Sequence, residues 1–540
     1  MYKTALSLLA VLMTSLCPGA IAQDDSATGS IFDQIKIELV DLKEMSRQLT
    51  ERLSGEPVRM SLDDCIQAGL KANQDILIVS YEPLKSEADI DAARGEFDPV
   101  LSSSLNFSDS SLPASPQTAF FGNISSVDQE ILDYKLGIGG KLRWGTQYSV
   151  DYSTVRERGT FVGDPITMRT NISEYSGSVS VTLTQPLIRG LGSATNRARI
   201  RTALTARYVS ESTVELTVID AVGEIVKAYW NLVGAIETLR VREESLNNAE
   251  RLVEINKQRL RIGTAAAIEV LQAKAGAATR MGDLVSAQTA IANADDRLKD
   301  LIGMQDRELY SPKSIIPITR PSVATIEWDL NESIEAALKN RPEVHAAELQ
   351  TAIAKIELDR ARNAKRPQLD LSSSYGRSGR AFDFQESLQD VRDQEGHSFS
   401  IGLFGSVPIK NRAAQGAHRR AKLELAQAEQ RLDKTRRGTI LSVRIALREV
   451  ATSEILVEST RQARILQEAN VAAEEKRLYL GVTTSQNLLD VQEDLTEAQT
   501  QEVQVTIGLE KSVVNLQVAE GTLLKKLGID FESTVPDRLR

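Results

Sequence analysis

Aromatic side chains are scarce in this 540-residue chain: 11 Phe, 11 Tyr and 3 Trp make up 5% of it. Histidine is scarcer still, with His345, His397 and His418 far apart and without metal-ligand spacing or a nucleophile partner. There is no glycine-rich phosphate loop after a strand, since Gly190-Leu191-Gly192 lacks a third glycine and follows the wrong topology. The formal charge is −10 with no strong basic patch, which argues against nucleic acid. These gaps leave no catalytic constellation, cofactor site or metal site, and the chain reads as a non-enzyme.

Long apolar runs are missing too. Lys3 precedes an apolar run from Ala5 to Leu16, and Ala20-Ile21-Ala22 forms a small-residue cleavage site. Residues 1–22 therefore read as a signal peptide, because the run is too short to span a bilayer as an ordinary helix. Leu16 stands before Cys17 where a lipobox needs a small residue. Past this point no run approaches the roughly 18 apolar residues of a membrane helix. Entry into a membrane would then require a closed β-barrel. The mature chain keeps one thiol, Cys65, which cannot form an internal disulfide and lies on an apolar helical stripe with Leu62 and Ile66.

What is present is a repeat. Leu62, Ile66, Ala68, Leu70 and Lys71 are echoed at a constant offset of 268 by Leu330, Ile334, Ala336, Leu338 and Lys339. Ala93, Arg94 and Pro99 are echoed at the same offset by Ala361, Arg362 and Pro367. Further on, Pro186 answers Pro408 and Gly263 answers Gly481, at offsets of 222 and 218. The first copy thus carries an insert of 46 residues before Pro186. The chain divides into an N-terminal amphipathic segment (23–60), a first repeat (61–310), a proline-rich linker (311–328), a second repeat (329–528) and a tail (529–540).

Each repeat holds strands and a long helical hairpin. Apolar and small polar residues alternate at Val179-Ser180-Val181-Thr182-Leu183 and at Phe399-Ser400-Ile401-Gly402-Leu403. Strands are expected near 99–108, 176–186, 368–376 and 398–407, with two more in the insert at 133–155, joined at Trp144-Gly145. Of the 25 aromatics, ten fall in 97–175 and five in 375–404, as interfacial girdles would require. Ser108 to Glu130 and Arg377 to Gly396 are polar and read as long external loops. The sequence leaves open whether the insert's strands join the same sheet. Ile219, Val222, Val226, Tyr229 and Val233 recur at coiled-coil spacing and continue through Leu246, Ala249, Leu252 and Asn256. The arms turn at Gly263 and Gly481, after stretches of nearly equal length.

Three motifs in this order resemble the TolC family of outer-membrane efflux and secretion channels. They are Thr184-Gln185-Pro186-Leu187 at a strand exit, Asn340-Arg341-Pro342-Glu343-Val344 at a second-repeat helix, and Leu480-Gly481 through Leu489-Asp490 at a hairpin tip. The resemblance covers about Leu62 to Gly528 and implies a mainly α chain with a β-barrel part. Long antiparallel coiled coils would form an α-barrel joined to a transmembrane β-barrel shared by a homotrimer, four strands from each chain. It implies placement in the outer membrane, among its lipid, with the helices in the periplasm. The tips would dock a periplasmic adapter protein coupled to an inner-membrane pump. By the motif, Asp490 and Glu269 fall on acidic tip positions, and Asn487 stands where an aspartate is typical. Asn487 would leave a weaker carboxylate ring, and Thr483 and Leu478 lack the polar partners that lock some members shut. Two other readings remain beside the efflux duct: an outer-membrane component of type I protein secretion, and a periplasmic coiled-coil structural or adapter protein.

Overall fold

The structure is a computed structural model; it describes residues 44, 48, 56–113, 124–163, 170–304, 313–321, 329–393 and 396–529. The signal peptide, nearly all of the N-terminal amphipathic segment, and most of the C-terminal tail lie outside the described residues.

The chain opens with β1 (Glu56–Met60), followed by α1 (Leu62–Ala72), α2 (Gln74–Val79) and α3 (Tyr81–Arg94). Helix α1 starts at a capping box, in which Ser61 Oγ accepts from Asp64 N and Asp64 Oδ2 accepts from Ser61 N. Four strands come next: β2 (Val100–Pro113), β3 (Ile124–Lys141), β4 (Gln147–Gly163) and β5 (Thr170–Pro186). The single turn α4 (Ser193–Asn196) leads into α5 (Ala198–Arg261), which turns back as α6 (Ala267–Leu301). Then β6 (Lys313–Pro317) precedes α7 (Leu330–Asn340), α8 (Pro342–Ala364), β7 (Gln368–Ala381), α9 (Phe384–Asp393) and β8 (Gly396–Ser406). The chain closes with α10 (Arg412–Tyr479), α11 (Ser485–Glu520) and α12 (Leu523–Lys526).

Six strands form one antiparallel sheet in the order β2-β3-β4-β5-β7-β8. The insert therefore lies within this sheet, as the β3–β4 hairpin. The four strands per chain implied by the family resemblance are corrected to six. Both stretches read as long external loops are corrected as well. Strands β2 and β3 run through Ser108–Pro113 and Ile124–Glu130, and Arg377–Gly396 holds the end of β7 and helix α9. Serine-rich strand ends carry no apolar alternation to reveal them, yet their backbones pair fully across the register. The linker holds a strand that the sequence did not reveal: β6 lies within it and pairs in parallel with β1, burying Ile315.

The sheet has two chemically distinct faces. One row across all six strands reads Leu101, Ile138, Val150, Val181, Tyr375 and Phe399, every residue apolar and exposed. The adjacent row on the other face reads Ser102, Gly137, Asp151, Ser180, Gly376 and Ser398. Leu105, Phe107, Val179, Leu183, Ile401 and Leu403 extend the apolar face. Of the exposed large apolar residues in the sheet whose side chains are described, only Val100 and Phe404, both near helix-side strand ends, lie on the polar face.

All helices except α9 join the sheet from one end. Pro113, Ile124, Gly163 and Thr170, and helix α9, lie at the other end. The β3–β4 turn is held at the helical end, where Gly192 N donates to Trp144 O (3.1 Å). At 1.5 Å per residue the 64 residues of α5 and 68 of α10 reach about 96 and 102 Å. The stripe expected from spacing is the buried one, with Val222, Tyr229, Ala249 and Asn256 fully enclosed. The main core gathers around α5 where β1 and β6 cross it. There Tyr229 Oη accepts from Thr319 N (2.9 Å), and buried Lys299 pairs with buried Asp295 (2.6 Å). Cys65 lies in this core, and burial pushes its thiol up to about 12, so it is an inert packing residue.

Candidate functional site

The residues singled out in the sequence lie at the tips of the two hairpins. Helix α5 ends in the turn around Gly263 (φ +76°), with Gly263 N donating to Leu260 O (3.0 Å) and Thr264 N to Arg259 O (2.8 Å). Helix α10 ends in the turn around Gly481 (φ +74°), with Gly481 N donating to Leu478 O (3.1 Å) and Val482 N to Arg477 O (3.0 Å). The two turns share one hydrogen-bond pattern, a left-handed glycine closing each helix. A Cβ on either glycine meets nothing within 4 Å, so only the backbone conformation opposes a side chain there. Gly481→Ala is expected to cost about 1–2 kcal/mol, confined to the tip. Faster amide hydrogen exchange over 476–484 with an unchanged melting temperature would show it; unchanged exchange would refute it.

Below the turns, Ala249, Leu252, Val253, Ala273, Ala277, Leu478, Leu488 and Leu489 form a small core drawn from α5, α6, α10 and α11. It packs the two hairpins side by side. Leu478, expected only to lack a polar partner, belongs to this core.

Glu269 lies on the first turn of α6 and faces the second hairpin. Its Oε2 accepts from Arg259 Nη1 (3.4 Å) and from Ser485 Oγ (3.0 Å), and that hydroxyl also reaches Asn256 Oδ1 (3.1 Å). Asn256 Nδ2 donates to the Glu269 backbone carbonyl (3.3 Å). Asn256 and Ser485 are fully buried, so this is an enclosed polar bridge between hairpins. Asn487 and Asp490 are elsewhere: both are exposed, one turn apart on α11. Asn487 Nδ2 donates to Thr483 Oγ1 (3.1 Å), and Asp490 Oδ1 accepts from Gln486 Nε2 (2.7 Å). Thr483 in turn donates to buried Glu474, which also pairs with Arg477 (2.9 Å). Thus Glu269 is brought to the hairpin interface, while Asn487 and Asp490 have side-chain partners on their own hairpin.

Sequence reasoning missed the rest of the interface. Arg280, on α6, is almost wholly buried; its Nε donates to Ser245 Oγ (3.1 Å) and its Nη2 to Leu489 O (3.0 Å), with Glu493 at 3.5 Å. Burial pulls its guanidinium below the usual arginine range, and Glu493 and Asp283 oppose this. Arg242 extends the network to Asp283 (3.5 Å) and Glu493 (3.8 Å). The available signal was a polar residue, Asn256 or Ser245, interrupting or flanking an apolar stripe. Among the described residues no group of His, Cys, Asp and Glu could hold a metal, and no helix is long and apolar enough to cross a membrane.

A long double hairpin hung from a two-faced sheet is a specific architecture, and its sequence matches one family. The outer membrane efflux protein profile matches residues 65–304 and 333–522. The chain belongs to the outer membrane efflux protein family. It is 25% identical over 343 residues to the pyoverdine export outer membrane protein OpmQ of Pseudomonas putida, covering 62% of this chain and 67% of that protein. It is 22% identical over 305 residues to the outer membrane protein TolC of Escherichia coli, covering 55% and 60%. The chain thus spans about 60–67% of the length of these two relatives. Among solved structures, VceC of Vibrio cholerae superposes with a TM-score of 0.61 at 16% identity, covering 85% of this chain and 96% of that one. Membership makes this chain an efflux channel of the Gram-negative outer membrane, extending into the periplasm.

Proposed function

We propose that this efflux channel is a passive exit duct closed by three copies of the chain. The observation that carries the reading is the sheet's pair of faces together with its two open edges, β2 and β8. An apolar face meets lipid and a small polar face meets a wet lumen. Exposed strand edges in hydrocarbon are untenable, so β2 must pair with β8 of the next copy. With six alternating strands, β2 and β8 run in opposite directions, and each junction is antiparallel. Three copies of six strands would make an eighteen-stranded wall. The near-equal helices, about 100 Å long, would continue it as a coiled-coil tunnel.

The matched lengths of α1 and α7 (11 residues each), β2 and β7 (14 each), and α6 and α11 (35 and 36) support an internal duplication. The tips would dock a periplasmic adapter coupled to an inner-membrane pump. Ile262, Ile268, Tyr479, Leu480 and Val482 are exposed there, apolar and close to both glycine turns. Glu269, with Asn256, Arg259 and Ser485, would hold the two hairpins in the closed state, and Gly263 and Gly481 would let the tips move. Asn487 and Asp490 would line the aperture. No chemistry on the cargo is required.

Paired cysteines test the closure, since native Cys65 is buried and inert. Asn106→Cys on β2 combined in turn with Ser398→Cys, Ser400→Cys or Gly402→Cys on β8 should give one pair that cross-links to a trimer under oxidation. Monomers for every pair would defeat the proposal.

A further inference from the structure

Helix α9 plays no part in the wall just described. It lies on the sheet, seated over β5 and β7 at the loop end. Gly177 and Gly379 are register partners and form the seat. A Cβ on Gly379 would stand 2.5 Å from Ser387 O and 2.6 Å from Val391 N, and one on Gly177 would stand 3.3 Å from Val391 Cγ2. Glycine at these two places lets the helix backbone touch the strands. Ser387 and Val391 are buried in the contact, and the Phe384 ring meets Tyr175 edge-on at 6.2 Å.

The side of the sheet matters. Gly177 and Gly379 are an even number of residues from Val181 and Tyr375 along their strands, so they lie on the apolar face. In a barrel with that face outward, α9 sits outside the wall. Its height is also set. Gly379 is ten residues beyond Leu369, near the helical end of β7. That is about 34 Å along the strand, and a tilt of about 35–45° leaves about 25 Å of height. Outer-membrane barrels have an apolar band of about that height. The helix therefore rests at the outer rim of the band.

Its flanks differ. Phe384 and Leu388 are 43% and 45% exposed on one side of the seat, and Phe382, just before the helix, is 75% exposed. Asp383, Glu386, Asp390 and Asp393 are on the other side. We infer that α9 is an interfacial helix binding outer-leaflet lipid, with acyl chains against Phe382, Phe384 and Leu388 and the acidic flank turned to the headgroup water. Continuity with the apolar sheet face selects lipid as the occupant. This inference rests on reading the sheet as a membrane barrel.

Tryptophan emission in vesicles with brominated acyl chains tests it, each variant being compared with its parent. Leu388→Trp should be quenched as strongly as Ile401→Trp on the apolar face of β8, and Glu386→Trp should not. Phe382→Trp serves in place of Leu388→Trp if the latter fails to insert. Quenching of Ile401→Trp with none at residue 388 or 382 overturns the inference and leaves the barrel standing. No quenching at residue 401 removes the barrel reading, and the inference with it.

Discussion

Removing residues 114–163 and joining Pro113 to Asp164 is expected to narrow the membrane end of the channel by about one third. The excision deletes β3 and β4 at the loop end, where both cuts fall. It leaves β2 and β5 running in opposite directions. Leu101 and Val181 stand in one row across the intact sheet. Pairing them directly puts Pro113 opposite Arg169, with residues 164–168 as a five-residue turn, a permitted hairpin length. The faces stay in phase, because removing two strands keeps every apolar residue on its own side. Barrel diameter grows roughly in proportion to strand number, so eighteen strands reduced to twelve should lose about a third of it. Electron microscopy of detergent-extracted trimers, before and after excision, would measure the change. An unchanged diameter would show that β3 and β4 stand outside the wall, against the proposed closure.

Glu269→Ala should raise the open population of the channel strongly, and Asp490→Ala should not. Truncating Glu269 removes the carboxylate that Ser485 reaches across the hairpin interface, and it takes from Arg259 its partner within the first hairpin. Ser485 keeps Asn256 as a partner, so the loss is that of one hydrogen bond to a charged group, about 1–3 kcal/mol, which corresponds to a roughly 5- to 150-fold shift between closed and open tips. Glu269→Gln keeps an acceptor for Ser485 but loses the charge facing Arg259, so its effect should be intermediate. Asp490 is exposed and hydrogen-bonds through its side chain to Gln486 on its own helix, so its loss breaks no hydrogen bond between hairpins and removes only the weakest of the charge effects on Arg280. Single-channel recording in planar bilayers separates these outcomes. Equal conductance and closure in wild type, Glu269→Ala and the combined Glu269→Ala/Asp490→Ala variant would remove the carboxylate bridge from the gate. The apolar tip core around Leu252 and Leu488 is untouched, so overall stability should change little.

Much of this architecture was legible because it is periodic. Helix α5 declares itself through Val222, Val226, Tyr229 and Val233, all buried where spacing put them. Strands β5 and β8 declare themselves through alternation at Val179–Leu183 and Phe399–Leu403. The glycine turns were visible as single breaks in long helical sequence. Helix α9 was hidden inside a charged segment that resembled a loop. Its seat depends on Gly177, some 200 residues earlier in the chain. The hairpin bridge was hidden for a similar reason. Ser485 reaches Asn256 across a separation of 229 residues, and neither residue carries a mark of the other.

By itself, the sequence determined the long helices, the strands with clear alternation, where the arms turn, and which face of those strands is apolar. Those properties follow from neighbours within a few positions, through the 3.6- and 2-residue periods of the backbone. Only the tertiary structure decided that the insert widens the sheet from four strands to six, that α9 lies on the apolar face, and that Glu269 joins the hairpins while Asp490 does not. Such choices depend on the pairing of segments far apart in the chain, and local periodicity does not encode that pairing.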